Sequence, residues 1–231
     1  MPATVETELI EAVLRLGELA MRFGRIDRAV VRHPDGTPES DSDHTVMLGW
    51  LACALARRWY PHLDCGLIAQ FALVHDAPEV YAGDTPTLRI DEEALAAKVA
   101  RERDAIGRLI GEFTDQLSWF PALIMLYEQQ ELPEATYVRA LDKVVTRIVH
   151  VLEGGGGLRA ADVGQAEWYR LSMQTLERML PYAEGFTELL ALRHELGERI
   201  VPTLDGGKYT GWINDRDLTF SASAPTKSGA E

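Results

Sequence analysis

Residues 75–87 read His-Asp-Ala-Pro-Glu-Val-Tyr-Ala-Gly-Asp-Thr-Pro-Thr. They close an apolar segment that is predicted to be helical from about residue 64 to 81, with apolar side chains three, four and seven residues before His75. Residues at these offsets share one face of a helix, so His75 is expected to point into a core. A core histidine is more often a hydrogen-bonded structural residue than a ligand, and a single His-Asp pair is a weak signal. The rest of the chain has to decide between the two.

Two other predicted helices each place one ligand-type side chain on an apolar face. His44 begins the helix 43–59 and has apolar residues three, four, seven and eleven positions later. Asp142 lies on the apolar stripe of the helix 134–153. An ionised aspartate on such a stripe is costly to bury unless it is paired or binds a cation. A salt bridge between Asp142 and Arg139 or Arg147 of the same helix remains an alternative. These arginines lie three residues before and five residues after Asp142, partly off its apolar stripe, so we favour a bound cation.

Together these side chains form a candidate metal site. Its predicted ligands are His44, His75, Asp76 and Asp142, two imidazoles and two carboxylates from three helices. Mixed nitrogen and oxygen ligation suits Mn²⁺, Fe²⁺, Co²⁺ or Zn²⁺ better than Ca²⁺ or Mg²⁺. Four protein ligands also leave coordination positions open for water and substrate. Periodicity predicts that the side chains face inward, and their meeting is a hypothesis for the structure to test.

The remaining pattern is helical almost throughout, which predicts an all-α fold. The helical domain is expected to span residues 1–203, followed by an irregular polar tail, 204–231, in which Tyr209, Trp212 and Phe220 could dock onto the core. Turn residues predict a loop over 32–42. Four consecutive glycines, 154–157, are expected to end a helix and act as a flexible joint. The predicted helices are 5–23, 43–59, 64–81, 91–116, 134–153, 163–181 and 184–200, and 117–130 is a further apolar stretch.

Composition excludes several classes of protein. The 231 residues include 23 basic and 36 acidic side chains, a formal charge of −13, and this balance argues against a nucleic-acid polymer as partner. No apolar run approaches the ~20 residues that a membrane helix needs. Two cysteines are too few for a disulfide scaffold, and the acidic N-terminus is unlike a signal peptide. We therefore expect a reduced cytoplasmic protein without membrane association.

The order of the candidate ligands resembles a known family. His44, then His75-Asp76, then Asp142 is similar to the metal pattern of the HD-domain phosphohydrolases. Residues 75–87, together with 42–44, 126–128 and 139–143, are similar to the 5′-deoxynucleotidase branch of that family, and the resemblance covers roughly residues 10–155. It implies a single HD-type helical bundle and a small-molecule nucleotide substrate, and because relatives often pair as dimers it also implies a homodimer. Some relatives bind two metal ions through further histidines that follow the His-Asp pair. This chain has no histidine between Asp76 and Asp142, so the resemblance implies one divalent metal ion.

The resemblance also implies two catalytic residues. Asp76 belongs to the site itself. Glu79 lies one helical turn beyond His75, where a carboxyl group can position the attacking water or protonate the leaving group. The family's matching glutamate is a proposed catalytic acid or base. On the residues alone, a solvated glutamate at a helix end is an equally good interpretation.

Four residues are implied substrate contacts. Asp84 matches an aspartate that contacts the sugar and favours deoxyribose, although aspartate in a Gly-Asp turn commonly caps its own backbone. Thr87 closes the same motif. Arg28 and Arg32 resemble in placement an arginine that binds substrate. The branch has an Arg-Trp pair there, and this chain has Arg28-Ala29, so packing of the base or sugar is expected to differ.

Three functions follow as hypotheses. The first is a phosphohydrolase that releases phosphate from nucleoside 5′-monophosphates, mainly deoxy forms, by attack of a metal-bound water. The second is a deoxynucleoside triphosphate triphosphohydrolase, for which Arg89 and Lys98 would supply positive charge. The third is a nucleotide-binding regulatory module without turnover. The presence of all the candidate metal ligands and of Glu79 argues against this third hypothesis.

Overall fold

The computed structural model describes residues 5–204, 210–213 and 216–219. In these residues the chain forms ten helices and two antiparallel hairpins. In chain order they are α1 (Thr7–Phe23), β1 (Asp27–Arg32), β2 (Pro38–Ser40), α2 (Asp41–Trp59), α3 (Cys65–Val74), α4 (Glu79–Ala82), α5 (Glu92–Phe113), α6 (Trp119–Gln129), α7 (Pro133–Leu152), α8 (Gly156–Ala160), α9 (Gln165–Ala183), α10 (Thr187–Leu204), β3 (Thr210–Ile213) and β4 (Arg216–Thr219). The predicted helical bundle is confirmed.

Helix α7 is the central element. It starts with Pro133 at its first turn, where the missing N–H costs no hydrogen bond. Its apolar side chains, including Val138, Leu141 and Val145, are completely buried against α2, α3, α9 and α10. Because the helix is enclosed on several sides, a polar group on it lies inside the protein. Asp142 is such a group.

The start of α2 is set by a capping box. Ser40 Oγ accepts a hydrogen bond from the Asp43 N–H, and the Asp43 carboxylate accepts one from the Ser40 N–H. The N-cap is therefore Ser40, and α2 begins at Asp41, two residues before the predicted start at 43. The cap holds His44 in the first turn of the helix, with its ring completely buried.

The predicted helix 64–81 is wrong as one continuous element. Helix α3 ends at Val74, a turn follows, and α4 begins at Glu79. Pro78 has no N–H to donate to Val74, and proline also disfavours a helical Ala77 before it. The turn is tightened by bonds from Ala77 N–H to Val74 O and from Glu79 N–H to Asp76 O. This break sets the directions of the His-Asp pair and the following glutamate.

The structure adds a hairpin where only a loop was expected. Strands β1 and β2 pair antiparallel, with Asp27 opposite Ser40 and Arg32 opposite Pro38. Residues 33–37 form the turn, as their composition predicts. β1 packs against α7 and α8. The hairpin therefore carries Arg28 to the central helix.

The four glycines are not a flexible joint. Gly156 and Gly157 belong to α8, and a Cβ on Gly157 would come closer to the Val30 carbonyl oxygen than the 3.0 Å that real Cβ atoms keep. Gly155 has a φ of +72° and faces the Thr203 hydroxyl at a similarly short range. The glycines are there because β1 and α10 approach the backbone closely.

The C-terminal segment contains a second hairpin. β3 and β4 pair antiparallel, so the expectation of an irregular tail is wrong for residues 210–213 and 216–219. The proposed docking of Tyr209, Trp212 and Phe220 lies outside the described residues and side chains, and the domain boundary at 203/204 stays a prediction. Across the residues that can be described, no helix is long and apolar enough to cross a bilayer.

Candidate metal centre

Three of the predicted ligands meet in the interior. One ligand atom each from His44, His75 and Asp142 lies within 4.8 Å of the others. His44 Nε2 is 3.0 Å from Asp142 Oδ1, and the two imidazole rings are 5.4 Å apart between centroids. All three side chains are buried. The helices α2 and α7 and the turn after α3 therefore bring together a nitrogen, nitrogen and oxygen donor set.

The hydrogen bonding of His75 fits a cation. Its Nδ1 lies 2.8 Å from the Ala72 carbonyl oxygen, which can only accept, so Nδ1 carries a proton. The buried Nε2 has no hydrogen bond, although Asp76 Oδ2 lies 3.0 Å away. Burial opposes the charged ring, but the Asp76 carboxylate raises the pKa of His75. A cation would compete with that proton for Nε2.

The charges of the other two groups also suit a cation. Burial lowers the pKa of His44, which favours the neutral imidazole. Burial opposes ionisation of Asp142, but Lys143 and His44 hold its pKa well below the usual range. The alternative interpretation of Asp142, a salt bridge with Arg139 or Arg147, is wrong. Arg139 pairs with Glu128, and Arg147 donates to the Arg193 carbonyl and the Ser172 hydroxyl.

Asp76 lies at the edge of the three-residue cluster. Its Oδ2 is 3.0 Å from His75 Nε2 and 3.2 Å from Arg28 Nη1. Burial opposes the charge, but His75 holds the pKa of Asp76 far below its usual value, so the carboxylate is ionised. Asp76 thus joins the cluster to Arg28, and its part as a fourth ligand is a proposal.

Two acidic residues near Arg28 were missed by the sequence analysis. Glu39 Oε2 is 3.5 Å from Arg28 Nε, and Asp41 Oδ1 is 3.7 Å from Arg28 Nη1, with both carboxyl groups completely buried. Burial raises the pKa of Glu39 to about 7, and burial together with Asp76 does the same for Asp41. Glu39 lies on the short strand β2, where helical periodicity gives no signal, and Asp41 is the first residue of α2, ahead of the predicted helix start at residue 43. The structure shows that they hold the guanidinium.

Glu79 is not a solvated helix end. It is 5% exposed, its Oε1 lies 3.3 Å from Lys98 Nζ, and its Oε2 has no hydrogen-bond partner. Burial, followed by the charges of Asp76 and Asp41, raises the pKa of Glu79 to about 10. A buried carboxyl group in this environment is protonated at neutral pH, which is the state of a proton donor.

Two cavities have Asp142 and Lys143 of α7 in common, together with Thr87 and Thr175. Cavity A, of about 280 Å³, includes His75, Asp76, Glu79, Lys98 and Tyr127 in its wall. Cavity B, of about 150 Å³, lies on the β1 side. Its wall includes Arg28, Asp84, Thr87, Arg147 and Trp168. The candidate catalytic and substrate residues are thus divided between two spaces that meet at Asp142.

The predicted substrate residues do not all reach these cavities. Asp84 does not cap its own turn, because its Oδ2 accepts a hydrogen bond from the Ala29 N–H at 3.0 Å. Arg28 and Thr87 line cavity B, whereas Arg32 lies outside both cavities. Arg89 also lies outside them, bonded to Glu167 and to carbonyl oxygens. The triphosphate hypothesis therefore loses one of its two suggested cations.

Comparisons with known proteins agree with this geometry. The HD domain family matches residues 24–183. The chain belongs to the HD-domain family. A 5′-deoxynucleotidase of Vibrio vulnificus is 25% identical over 168 residues, which cover 68% of this chain and 83% of that protein. The crystal structure of a predicted metal-dependent phosphohydrolase from Magnetospirillum magnetotacticum MS-1 superimposes with a TM-score of 0.66 at 25% identity, covering 84% of this chain and 96% of the other.

Membership of the HD-domain family confirms the resemblance found in the sequence. The matched region contains every candidate ligand from His44 to Asp142. The identity of the metal, the number of subunits and the cytoplasmic location stay predictions.

Proposed function

We propose that this HD-domain protein is a metal-dependent phosphohydrolase that releases phosphate from nucleoside 5′-monophosphates, preferably deoxy forms. The observation that carries the proposal is the buried His44, His75 and Asp142 cluster beside the buried carboxyl group of Glu79. The similarity to a 5′-deoxynucleotidase supports the choice of substrate class.

The proposed ligands are His44, His75 and Asp142, with Asp76 as the fourth. A divalent cation held there would neutralise charge on the phosphoryl oxygens and make a water molecule a better nucleophile. The Ala72 carbonyl keeps the His75 ring in the orientation and tautomer that present Nε2 to the centre. Residues that orient the metal ligands in this way matter, because phosphoryl transfer depends mainly on positioning and electrostatics.

Glu79 is the proposed proton donor to the leaving oxygen. It faces cavity A, and one of its two oxygens has no partner. Lys98 holds the other oxygen, which limits rotation of the carboxyl group. A proton donor in place at the leaving group is worth roughly 10² to 10⁴ in rate.

Arg28 and Asp84 are the proposed contacts for the remainder of the substrate. Arg28 touches Asp76, so its guanidinium can contact a phosphoryl group bound at the cluster. Asp84 is tied to the backbone of Ala29, which places the Gly-Asp turn beside Arg28. Both residues line cavity B, and that cavity is the proposed place for the sugar.

The test is a product-resolved assay with the full chain and added Mn²⁺ or Co²⁺. We expect inorganic phosphate from nucleoside 5′-monophosphates and none from triphosphates. Release of tripolyphosphate would show the triphosphohydrolase instead. Nucleotide binding without any turnover would show a regulatory module.

A matched pair of variants tests the role of Glu79. Glu79→Gln should bind metal normally and lose roughly 10² to 10⁴ of kcat, because the amide cannot donate the proton of a carboxylic acid. Glu93→Gln, on the exposed first turn of α5, should leave kcat unchanged. Full turnover in Glu79→Gln would remove the proposed role.

A further inference from the structure

Two buried arginines lie close together near cavity B. Arg147 lines the cavity from α7, and Arg193, on α10, is its neighbour. The two residues are only 6% and 5% exposed. They were not among the candidate site residues found in the sequence, and the proposed hydrolysis does not use them.

Their hydrogen bonds leave the positive charges uncompensated. Arg147 donates to the Ser172 hydroxyl at 2.9 Å and to the Arg193 carbonyl at 3.3 Å. Arg193 donates to the Ser172 carbonyl and the Thr175 hydroxyl, and its buried Nε has no partner. Within residues 5–204, 210–213 and 216–219, neither forms an ion pair with a carboxylate. Two neighbouring buried cations without an acid are costly unless an anion joins them.

The acid that contacts His150 has other partners. Glu153, whose carboxylate contacts His150 on the wall of cavity B, also accepts hydrogen bonds from the Gly157 N–H. Burial and the neighbouring Arg193 lower the pKa of Arg147 to about 9, which agrees with a missing counter-charge. Glu153 is therefore not the counter-charge of Arg147 or Arg193.

The position of the Arg147 guanidinium is specified by its surroundings. It lies over the Trp168 ring, 4.7 Å from the ring centre. On its other side is Gly197, where a Cβ would come closer than 3.0 Å to Arg147 Nη1. Glycine inside a helix costs about 1 kcal/mol relative to alanine. Helix α10 thus accepts a less stable residue in order to make room for the guanidinium.

Cavity B connects this pair to the metal centre. Arg147 follows Asp142 by five residues on α7, roughly 7.5 Å along the helix axis. The wall of cavity B also includes Lys143 and Asp84. A ligand whose phosphate lies at the cluster can therefore place a second group near Arg147.

We propose that Arg147, supported by Arg193, binds a second anionic group of the substrate. The ligand class is a phosphate monoester that also carries a phosphate or a carboxylate, such as a nucleoside 3′,5′-bisphosphate. The inference rests on the proposed function for the place of the first phosphate. An anion is favoured over a neutral acceptor because two cations are present and the planar guanidinium can hold phosphate or carboxylate oxygens in a bidentate contact.

The first test compares a nucleoside 5′-monophosphate with the 3′,5′-bisphosphate of the same nucleoside. A hydrogen bond to a charged group contributes about 1.5–3 kcal/mol, so kcat/KM should favour the bisphosphate by roughly 10- to 150-fold. Arg147→Met should lower that ratio at least tenfold, while Arg15→Met, on the exposed face of α1, should keep it. Equal kcat/KM for the two substrates, or a ratio unchanged by Arg147→Met, would overturn the inference.

A second measurement separates binding from structure. Arg147→Met should unfold at the same or a higher temperature than the wild type, because it removes an uncompensated buried charge. A purely structural arginine would give a lower temperature, which would count against the anion site. If Arg147→Met does not fold, Arg147→Lys, which keeps the charge without the bidentate geometry, should show an intermediate ratio, and a full wild-type ratio would contradict the inference.

Failure of the two proposals can be distinguished. If the wild type hydrolyses neither substrate, the proposed function fails. Calorimetric titration with the same two compounds then tests the anion site alone. Tighter binding of the bisphosphate that depends on Arg147 supports the site, and equal affinities overturn it.

Discussion

Gly157→Ala should show that the contact between α8 and β1 positions Arg28, the proposed substrate contact. The added Cβ would lie closer than 3.0 Å to the carbonyl oxygen of Val30, and ordinary contact begins at 3.4 Å. Its neighbour is backbone and not a flexible side chain, so β1 or α8 must shift by several tenths of an ångström or more. Overpacking of this kind costs about 1–3 kcal/mol.

The consequences are measurable in stability and in activity. For a chain of this size, each kcal/mol lowers Tm by about 2–4 °C, so calorimetry should show a decrease of roughly 2–12 °C. Arg28 lies on the displaced strand, and misplacement by about 1 Å can cost 10²-fold in rate. We therefore expect kcat/KM for the 5′-monophosphate to fall at least tenfold.

The control is Gly107→Ala on α5, where nothing lies within 4 Å of an added Cβ. It should gain up to about 1 kcal/mol of helix stability and keep full activity. If Gly157→Ala matches the wild type in Tm and kcat/KM, the close approach of α8 and β1 does not constrain the site, and the reasoning is refuted.

Two further outcomes are expected. His75→Ala should lose bound Mn²⁺, measured by metal analysis after gel filtration, because it removes the buried Nε2 at the centre of the cluster, whereas His62→Ala on an exposed turn should retain it; equal metal content in both would exclude His75 as a ligand. Asp84→Asn should raise KM for a deoxynucleotide roughly tenfold with kcat little changed, because the amide oxygen still accepts from Ala29 but the charge toward the sugar is lost. An unchanged KM would show that Asp84 does not contact the substrate and only accepts the hydrogen bond from Ala29 on β1.

Much of the metal centre could be predicted because its residues lie on regular helices. Apolar neighbours three and four residues away are enough to predict that His44 and Asp142 face inward, and both do. Glu39 and Asp41 were not predicted, because Glu39 lies on a short hairpin strand without helical periodicity and Asp41 precedes residue 43, where the helix was predicted to begin. Arg147 was considered only as a partner of Asp142, since its offset says nothing about Ser172 or Arg193 on other helices.

What the order of residues determined by itself was local: an all-α chain and the identity of the candidate ligands. Only the tertiary structure decided which charges meet. It paired Asp142 with His44 and Lys143, enclosed Arg28 among three acids, and left Arg147 and Arg193 without a carboxylate partner in the described residues. The physical reason is that helical periodicity reports the direction of a side chain within its own element, while burial and Coulomb interactions depend on groups that lie far apart along the chain.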